Sequence, residues 1–285
     1  MRPKTKNKTR AVEVSGGHTF KERVMRHVIG VYTSDRYPLI LAVQGAPGTG
    51  KSYQTNKILK NAGFEVVRRS SAVLSGSREG DSERMLRHIY KNTAQLLKKG
   101  SGRLPVILFE DFDLSGAVRF DKTEYTVNTQ ILINLFMSLS DDIETAIPDC
   151  EERIPIFMTG NDFSALHGPM RRHGRMDFFS WNPGPDETAQ ALTASLTGIC
   201  EDPSVIAGAL IRKFPNLEIA SFCMAVEIVV ADWKLKQVSH YPTLGRVDIR
   251  NFEYARFDEH CNNSQVLALL ESTCKRLEVA ENYLS

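Results

Sequence analysis

No stretch of this chain approaches the roughly 18 consecutive apolar residues that a membrane-spanning helix needs. Its apolar runs are short, such as PLILAV (38–43) and PVILF (105–109). Five cysteines, Cys150, Cys200, Cys223, Cys261 and Cys274, are odd in number, scattered and never spaced C-x-x-C. That excludes a paired disulfide frame or a zinc ribbon and fits reduced thiols of a cytosolic protein. The seven histidines show no metal-ligand spacing. Strong charge is missing too: 36 Lys and Arg face 34 Asp and Glu, for a net charge of +2. No global field therefore announces nucleic acid or a membrane surface. The basic start MRPKTKNKTR lacks the apolar run of a signal peptide, and no transit peptide is evident. A cytoplasmic location is expected, or a plastid stroma in a eukaryote. What remains is ordinary globular composition, 42% hydrophobic and 25% charged over 285 residues, enough for one large domain or two modest ones.

Residues 1–16 read as a basic flexible tail. Apolar residues at 20, 24, 28 and 31 have helical spacing. Five short apolar segments then read as strands: PLILAVQG (38–45), FEVVRR (64–69), LPVILFED (104–111), RIPIFMTG (153–160) and MDFFSW (176–181). Helical patterns separate most of them, one through Met85, Leu86, Ile89, Tyr90, Leu96 and Leu97, another through Val127, Ile131, Leu132, Leu135, Phe136 and Leu139. Strands alternating with helices predict a parallel α/β sheet. NPGPDET (182–188) breaks the alternation. Beyond it the pattern is helical, near 186–198, 203–213, 217–235 and 264–283. The expected division is an α/β domain over 17–182 and a smaller helical domain over 183–285, the latter with an irregular insertion near 239–252.

Four motifs carry chemistry. GAPGTGKS (45–52) matches G-x-x-x-x-G-K-[ST] after an apolar strand and before a helix. Gly45, Ala46, Pro47, Gly48, Thr49 and Gly50 would curl around phosphates and, all but Pro47, present backbone N–H groups to them, helped by the positive end of the following helix. Lys51 would reach the β- and γ-phosphates of ATP, Ser52 would ligate Mg2+, and Tyr53 closes the binding stretch. In VILFEDFD (106–113) four apolar residues run into Glu110-Asp111. Such a chemistry needs one carboxylate for the metal and one for the attacking water. Glu110 is assigned to Mg2+ and Asp111 to the water, with Asp113 nearby; read alone, the segment would equally suit a strand end carrying solvated acids. FMTGND (157–162) places Asn161, or as second choice Thr159, where a polar group could bridge water and γ-phosphate; an Asx turn is the plainer alternative. Last, HGPMRRHGRM (167–176) packs Arg171, Arg172 and Arg175 into five residues without an acid. Arginines stabilise charge developing on a transferring phosphoryl group. Facing outward, these would enter a neighbour's site, or serve as a basic loop for an acidic partner.

The four motifs in this order, followed by a helical lid, resemble an AAA+ ATPase. KNTAQLLKKG, EYTVNTQ, IPIFMTGNDFSALHGPMRRHGRM and the ending RLEVAENYLS together resemble Rubisco activase of the plant and cyanobacterial kind, over about Phe20 to Ser285. The resemblance implies an AAA+ P-loop NTPase fold, a parallel five-stranded αβα sandwich with a helical lid. It also implies a ring homo-oligomer, expected as a hexamer, that hydrolyses ATP between Lys51 of one subunit and the fingers Arg172 and Arg175 of the next, Arg171 being extra. Its client would be a protein, Rubisco by resemblance. Residues 75–80 (SGSREG) match the family's first pore loop and 114–122 (LSGAVRFDK) its second.

Three departures stand out. The activase N-terminal domain is expected to be absent, with only the basic tail before Phe20. Activases carry Asn-Asp where this chain has Glu110-Asp111. And the lid helix after KFPNLEIASF has Ala225, Val226, Glu227 and Ile228 in the region where activases carry arginine. A cysteine-bearing C-terminal extension is not expected either. The swapped acids and missing lid arginine also fit a low-turnover ATP-binding regulatory assembly. The basic tail with Arg68, Arg69 and Arg78 gives some support to a nucleic-acid-associated ATPase, although the near-zero net charge argues against nucleic acid as partner.

Overall fold

The computed structural model describes residues 19–75, 78–98, 102–114, 127–164, 166, 168–239 and 262–284. The basic tail, and all of the irregular stretch 239–252 except Ser239, lie outside them. Five strands, β1 (Ile40–Gln44), β2 (Glu65–Ser70), β3 (Pro105–Glu110), β4 (Ile156–Gly160) and β5 (Met176–Ser180), form one sheet in the order β2-β3-β4-β1-β5. β2 pairs β3 in parallel with Glu65 opposite Pro105 and Ser70 opposite Glu110, and β3 pairs β4 with Ile107 opposite Ile156. The five predicted strands are these five. Successive side chains of a strand point to opposite faces, yet Ile40–Val43, Val106–Phe109 and Ile156–Met158 are all fully buried. Both faces of the central sheet are therefore covered, as the continuous apolar runs require. The edge strand β2 breaks the rule, and its last three residues, Arg68–Ser70, are exposed.

The chain divides into two compact units. The first comprises Met1–Ala42, Gln54–Thr159 and Phe163–Phe179. It contains α1 (Phe20–Thr33), most of α2 (Lys51–Asn61), α3 (Asp81–Lys98), α4 (Val127–Asp141) and a single turn, α5 (Ile143–Ala146). α1 starts where Thr19 and Glu22 cap each other: the Glu22 N–H donates to Thr19 Oγ1 and the Thr19 N–H to Glu22 Oε2. Tyr90 on α3 is wholly buried and its hydroxyl stays satisfied, donating to the Glu152 carbonyl at 3.1 Å and accepting from the Ile154 N–H at 2.9 Å. Phe109, Phe112, Phe136 and Phe163 form a buried aromatic cluster with ring centroids 5.6–6.5 Å apart. It fixes the turn that follows β3.

The second unit comprises Val43–Tyr53, Gly160–Asp162 and Ser180–Ser285. Its helices are α6 (Pro185–Leu196), α7 (Pro203–Lys213), α8 (Ile219–Val238) and α9 (Asn263–Leu284). α6 and α7 both begin with proline, whose fixed φ suits a first helical position. Leu196, Leu210, Phe222, Ala225, Val226, Val266, Leu270 and Cys274 meet in one helical core. The glycine loop 45–50 belongs to this unit, grouped with the helices beyond residue 180.

Candidate nucleotide site

In the second unit, β1 ends at Gln44 and α2 starts at Lys51, so residues 45–50 must turn the chain from strand to helix in six residues. Two glycines are forced by close neighbours. A Cβ at position 45 would sit 2.1 Å from the Trp181 carbonyl oxygen. At Gly48, where φ is +69°, it would sit 1.8 Å from Glu218 Oε2. The loop is also stitched down: the Trp181 N–H donates to the Gln44 carbonyl, the Trp181 indole N–H to the Thr49 carbonyl at 2.9 Å, and the Ala220 N–H to the Gly48 carbonyl at 3.0 Å. α2 carries no acidic residue in its first turn, which leaves its N-terminal partial positive charge available to an anion.

Lys51 is only 8% exposed. A buried ammonium must have its three N–H donors satisfied. Here Nζ donates to the carbonyls of Gly45 (2.9 Å) and Ala46 (2.7 Å) and to Asn161 Oδ1 (3.0 Å). Asn161 follows the end of β4, next to β1 in the sheet, and meets the lysine directly. Thr159, the alternative, is fully buried within β4. Ser52 is half-buried on the first turn of α2 and Tyr53 is exposed. In α8, Ala225 and Val226 are buried in the helical core, Ile228 is half-buried and Glu227 is exposed. Valine at 226 thus serves packing; an arginine there would have to leave this core.

In the first unit, β3 ends with Glu110 held by Arg68 of β2. Nη2 lies 2.8 Å and 2.9 Å from the two carboxylate oxygens. The pair is part-exposed, with side-chain accessibility of 47% and 18%. Asp111 is exposed and takes φ +53°, a left-handed conformation that aspartate tolerates better than most residues. Its carbonyl accepts from Ser71 Oγ at 2.6 Å, a second tie between the ends of β2 and β3. Asp113 is buried. Sequence reading placed Arg68 in a basic loop for nucleic acid; its guanidinium is instead committed to an acid of the same chain.

The arginine loop runs from a 3-10 turn at Gly168–Arg171, anchored by buried Met170, into β5. Arg171 and Arg172 are exposed, and among the described residues neither makes an ion pair. Arg175 differs. Its Nε and Nη2 donate to the two oxygens of Asp141, the last residue of α4, at 2.7 Å and 2.5 Å, and Nη1 donates to the Pro169 carbonyl at 3.1 Å. Asp141 raises the Arg175 pKa still further above its ordinary value. The acid that this loop lacks in sequence arrives from 34 residues upstream. Of the matched first pore loop, Ser75 and Arg78–Gly80 are described; of the second, residues 115–122 lie outside the described residues.

The contacts made by Arg68, Asp141, Trp181 and Glu218 leave no signal in the sequence. None of these residues lies in the four motifs, and each meets its partner across 34 to 170 residues. Among the described residues no cluster of three or more His, Cys, Asp or Glu could hold a metal, and no helix is long and apolar enough to cross a membrane.

Comparison with known proteins agrees with these features. Residues 41–183, half of the chain, match the model of the ATPase family associated with various cellular activities (AAA). The ribulose bisphosphate carboxylase/oxygenase activase of Anabaena sp. is 34% identical over 225 residues, covering 75% of this chain and 52% of that protein. The chloroplastic activase of Arabidopsis thaliana is 27% identical over 271 residues, 88% of this chain and 56% of that one. The chain thus spans about half the length of these curated relatives. In fold it is similar to a chain of the E. coli MS115-1 HORMA:CdnC:Trip13 complex, with a TM-score of 0.51 at 15% identity over 85% of this chain and 74% of that chain. The glycine loop on its buried strand, the lysine drawn to a polar residue past β4, and the family match spanning both make this chain a member of the AAA family of ATPases.

Proposed function

We propose that this protein couples ATP hydrolysis in a homo-oligomer, a hexameric ring, to the remodelling of a protein client, with Rubisco as the first client to test. The observation that carries the reading is the 34% identity to an activase over three quarters of the chain, supported by a P-loop lysine held beside Asn161. Mg2+ suits the residues available. Ser52 offers a hydroxyl and Glu110, once released from Arg68, would offer a carboxylate, hard oxygen donors of the kind this ion takes one or two at a time, with phosphate and water completing its shell. When bound, Mg2+ would offset phosphate charge. The chain's own residues do the rest: the loop and Lys51 bind phosphate, Asn161 and Asp111 orient water, and Arg172 of a neighbour supplies positive charge.

Steady-state phosphate release, measured over a range of protein concentrations with Lys51→Ala as blank, tests the reading. Specific activity should rise as subunits assemble, and the blank should show none. Activity independent of concentration would remove the shared site; release no faster than the blank would favour a low-turnover ATP-binding assembly, for which the Arg68–Glu110 pair and Val226 speak. Recovery of inhibitor-blocked Rubisco on adding the protein with ATP would identify the client, and no recovery at any ratio would exclude it.

A further inference from the structure

The residue that begins α8 is acidic and lies on the phosphate-binding loop. Glu218 is the N-cap residue of the 20-residue α8, in extended conformation and with no capping hydrogen bond from its side chain to that helix. Its side chain lies flat against Gly48: a Cβ there would meet Oε2 at 1.8 Å, Cδ at 2.9 Å and Cβ at 3.2 Å. The first turn of α8 is tied to the same glycine by the Ala220 N–H at 3.0 Å from the Gly48 carbonyl. The lid helix therefore meets Gly48 twice, through the Ala220 hydrogen bond and through the closely packed Glu218 carboxylate. In the same helix, the region where the resemblance places an arginine holds Ala225, Val226, Glu227 and Ile228, of which Ala225 and Val226 are packed in the helical core.

We infer that Glu218 is the nucleotide-state sensor of this lid and that it works by repulsion. An arginine on a lid helix is drawn toward a polyphosphate. A carboxylate packed on the phosphate-binding loop is pushed away from one, and the push grows with the number of phosphate charges. The empty loop thus favours a lid docked through Glu218 and Ala220. A nucleoside triphosphate opposes that docking more than a diphosphate does, and the helix answers by shifting on Gly48. Gly48 is required twice over: for its left-handed φ and for the room that the carboxylate fills. This inference rests on the reading of residues 45–52 as the nucleotide loop, and it needs neither a client nor an oligomer.

The test is calorimetric titration of the full chain with Mg2+-ADP and with a slowly hydrolysed Mg2+-ATP analogue. Wild type, Glu218→Gln and Glu218→Ala are compared, with Lys51→Ala as blank and thermal melting of each free protein as control. Glu218→Gln keeps the shape and removes the charge. It should tighten the triphosphate analogue about tenfold and the diphosphate less, with the free protein melting as wild type does. Glu218→Ala should move both affinities in the same direction. Equal tightening of the two ligands, no change, or weaker binding in both variants would overturn the sensor. Wild type that binds neither nucleotide would instead overturn the reading of the loop.

Discussion

Lys51 and Arg175 are both cations held down by hydrogen bonds, one in each unit, and their partners differ in kind. Lys51 is nearly buried among three neutral oxygens, two carbonyls and the Asn161 amide. These three acceptors take its N–H groups without bringing a countercharge of their own. Arg175 is part-exposed and doubly bonded to a carboxylate. That geometry is stronger and more specific, and it neutralises the group locally. A cation destined for a ligand is seated on dipoles; one that shapes a loop is seated on a countercharge. By this criterion Arg172, exposed and making no ion pair among the described residues, is the loop's candidate for the proposed role in a neighbour's site, while Arg175 is tied to Asp141 beside it.

The largest effect should separate the two arginines. Arg172→Ala should lower kcat about a thousandfold, as loss of a trans arginine does. Arg175→Ala should cost far less in kcat while lowering the melting temperature, and Asp141→Asn should share its melting defect. Assay of the three variants at a concentration where wild type is fully assembled decides this; an Arg175 loss as large as that of Arg172 would break the comparison. Next, Asn161→Asp gives Lys51 the kind of partner that Arg175 has. Binding of Mg2+-ATP, read by calorimetry, should weaken about tenfold, because a carboxylate competes with phosphate for the same ammonium. Unchanged affinity would mean that neutral seating is incidental.

The smallest effect concerns His27, a third group that could carry positive charge, buried with no carboxylate paired to it among the described residues. It packs edge-on against Phe157 at 5.0 Å and near Tyr37 at 5.9 Å. Burial, with nearby Arg23 and Arg153 adding to it, lowers its pKa from 6.5 to about 3. The unfolded chain therefore binds a proton below about pH 6.5 that the folded chain refuses until about pH 3. Stability should fall as pH drops through that window, by about 1 kcal/mol per pH unit. Denaturant melts from pH 7 to 5 should show this slope in wild type and a flatter one in His27→Gln. Equal slopes would show that other groups govern acid sensitivity.

Much of the fold was legible because buried parallel strands must be apolar on both faces. PLILAV, PVILF and IPIFM announce themselves without their neighbours, and the prolines at 185 and 203 mark helix starts by local sterics. The short α5 escaped, since one turn gives no periodicity to read. At the site, the residues near Lys51 were legible where the motif's chemistry is local, from the loop glycines to the helix start. Arg68 was read as part of a basic loop, because a guanidinium's partner on the next strand leaves no trace in spacing. Asp141 was unreadable for a like reason: it ends a helix 34 residues before the arginine it holds.

By itself the sequence determined a phosphate-binding loop between strand and helix, acids at the end of another strand and an arginine-rich turn, because strand burial, glycine turns and helix ends are local physics. Only the tertiary structure decided which charges remain available. It tied Glu110 to Arg68 and Arg175 to Asp141, and it laid Glu218 on Gly48. Electrostatic pairing acts through space over a few ångströms, and no order of residues along the chain records those distances.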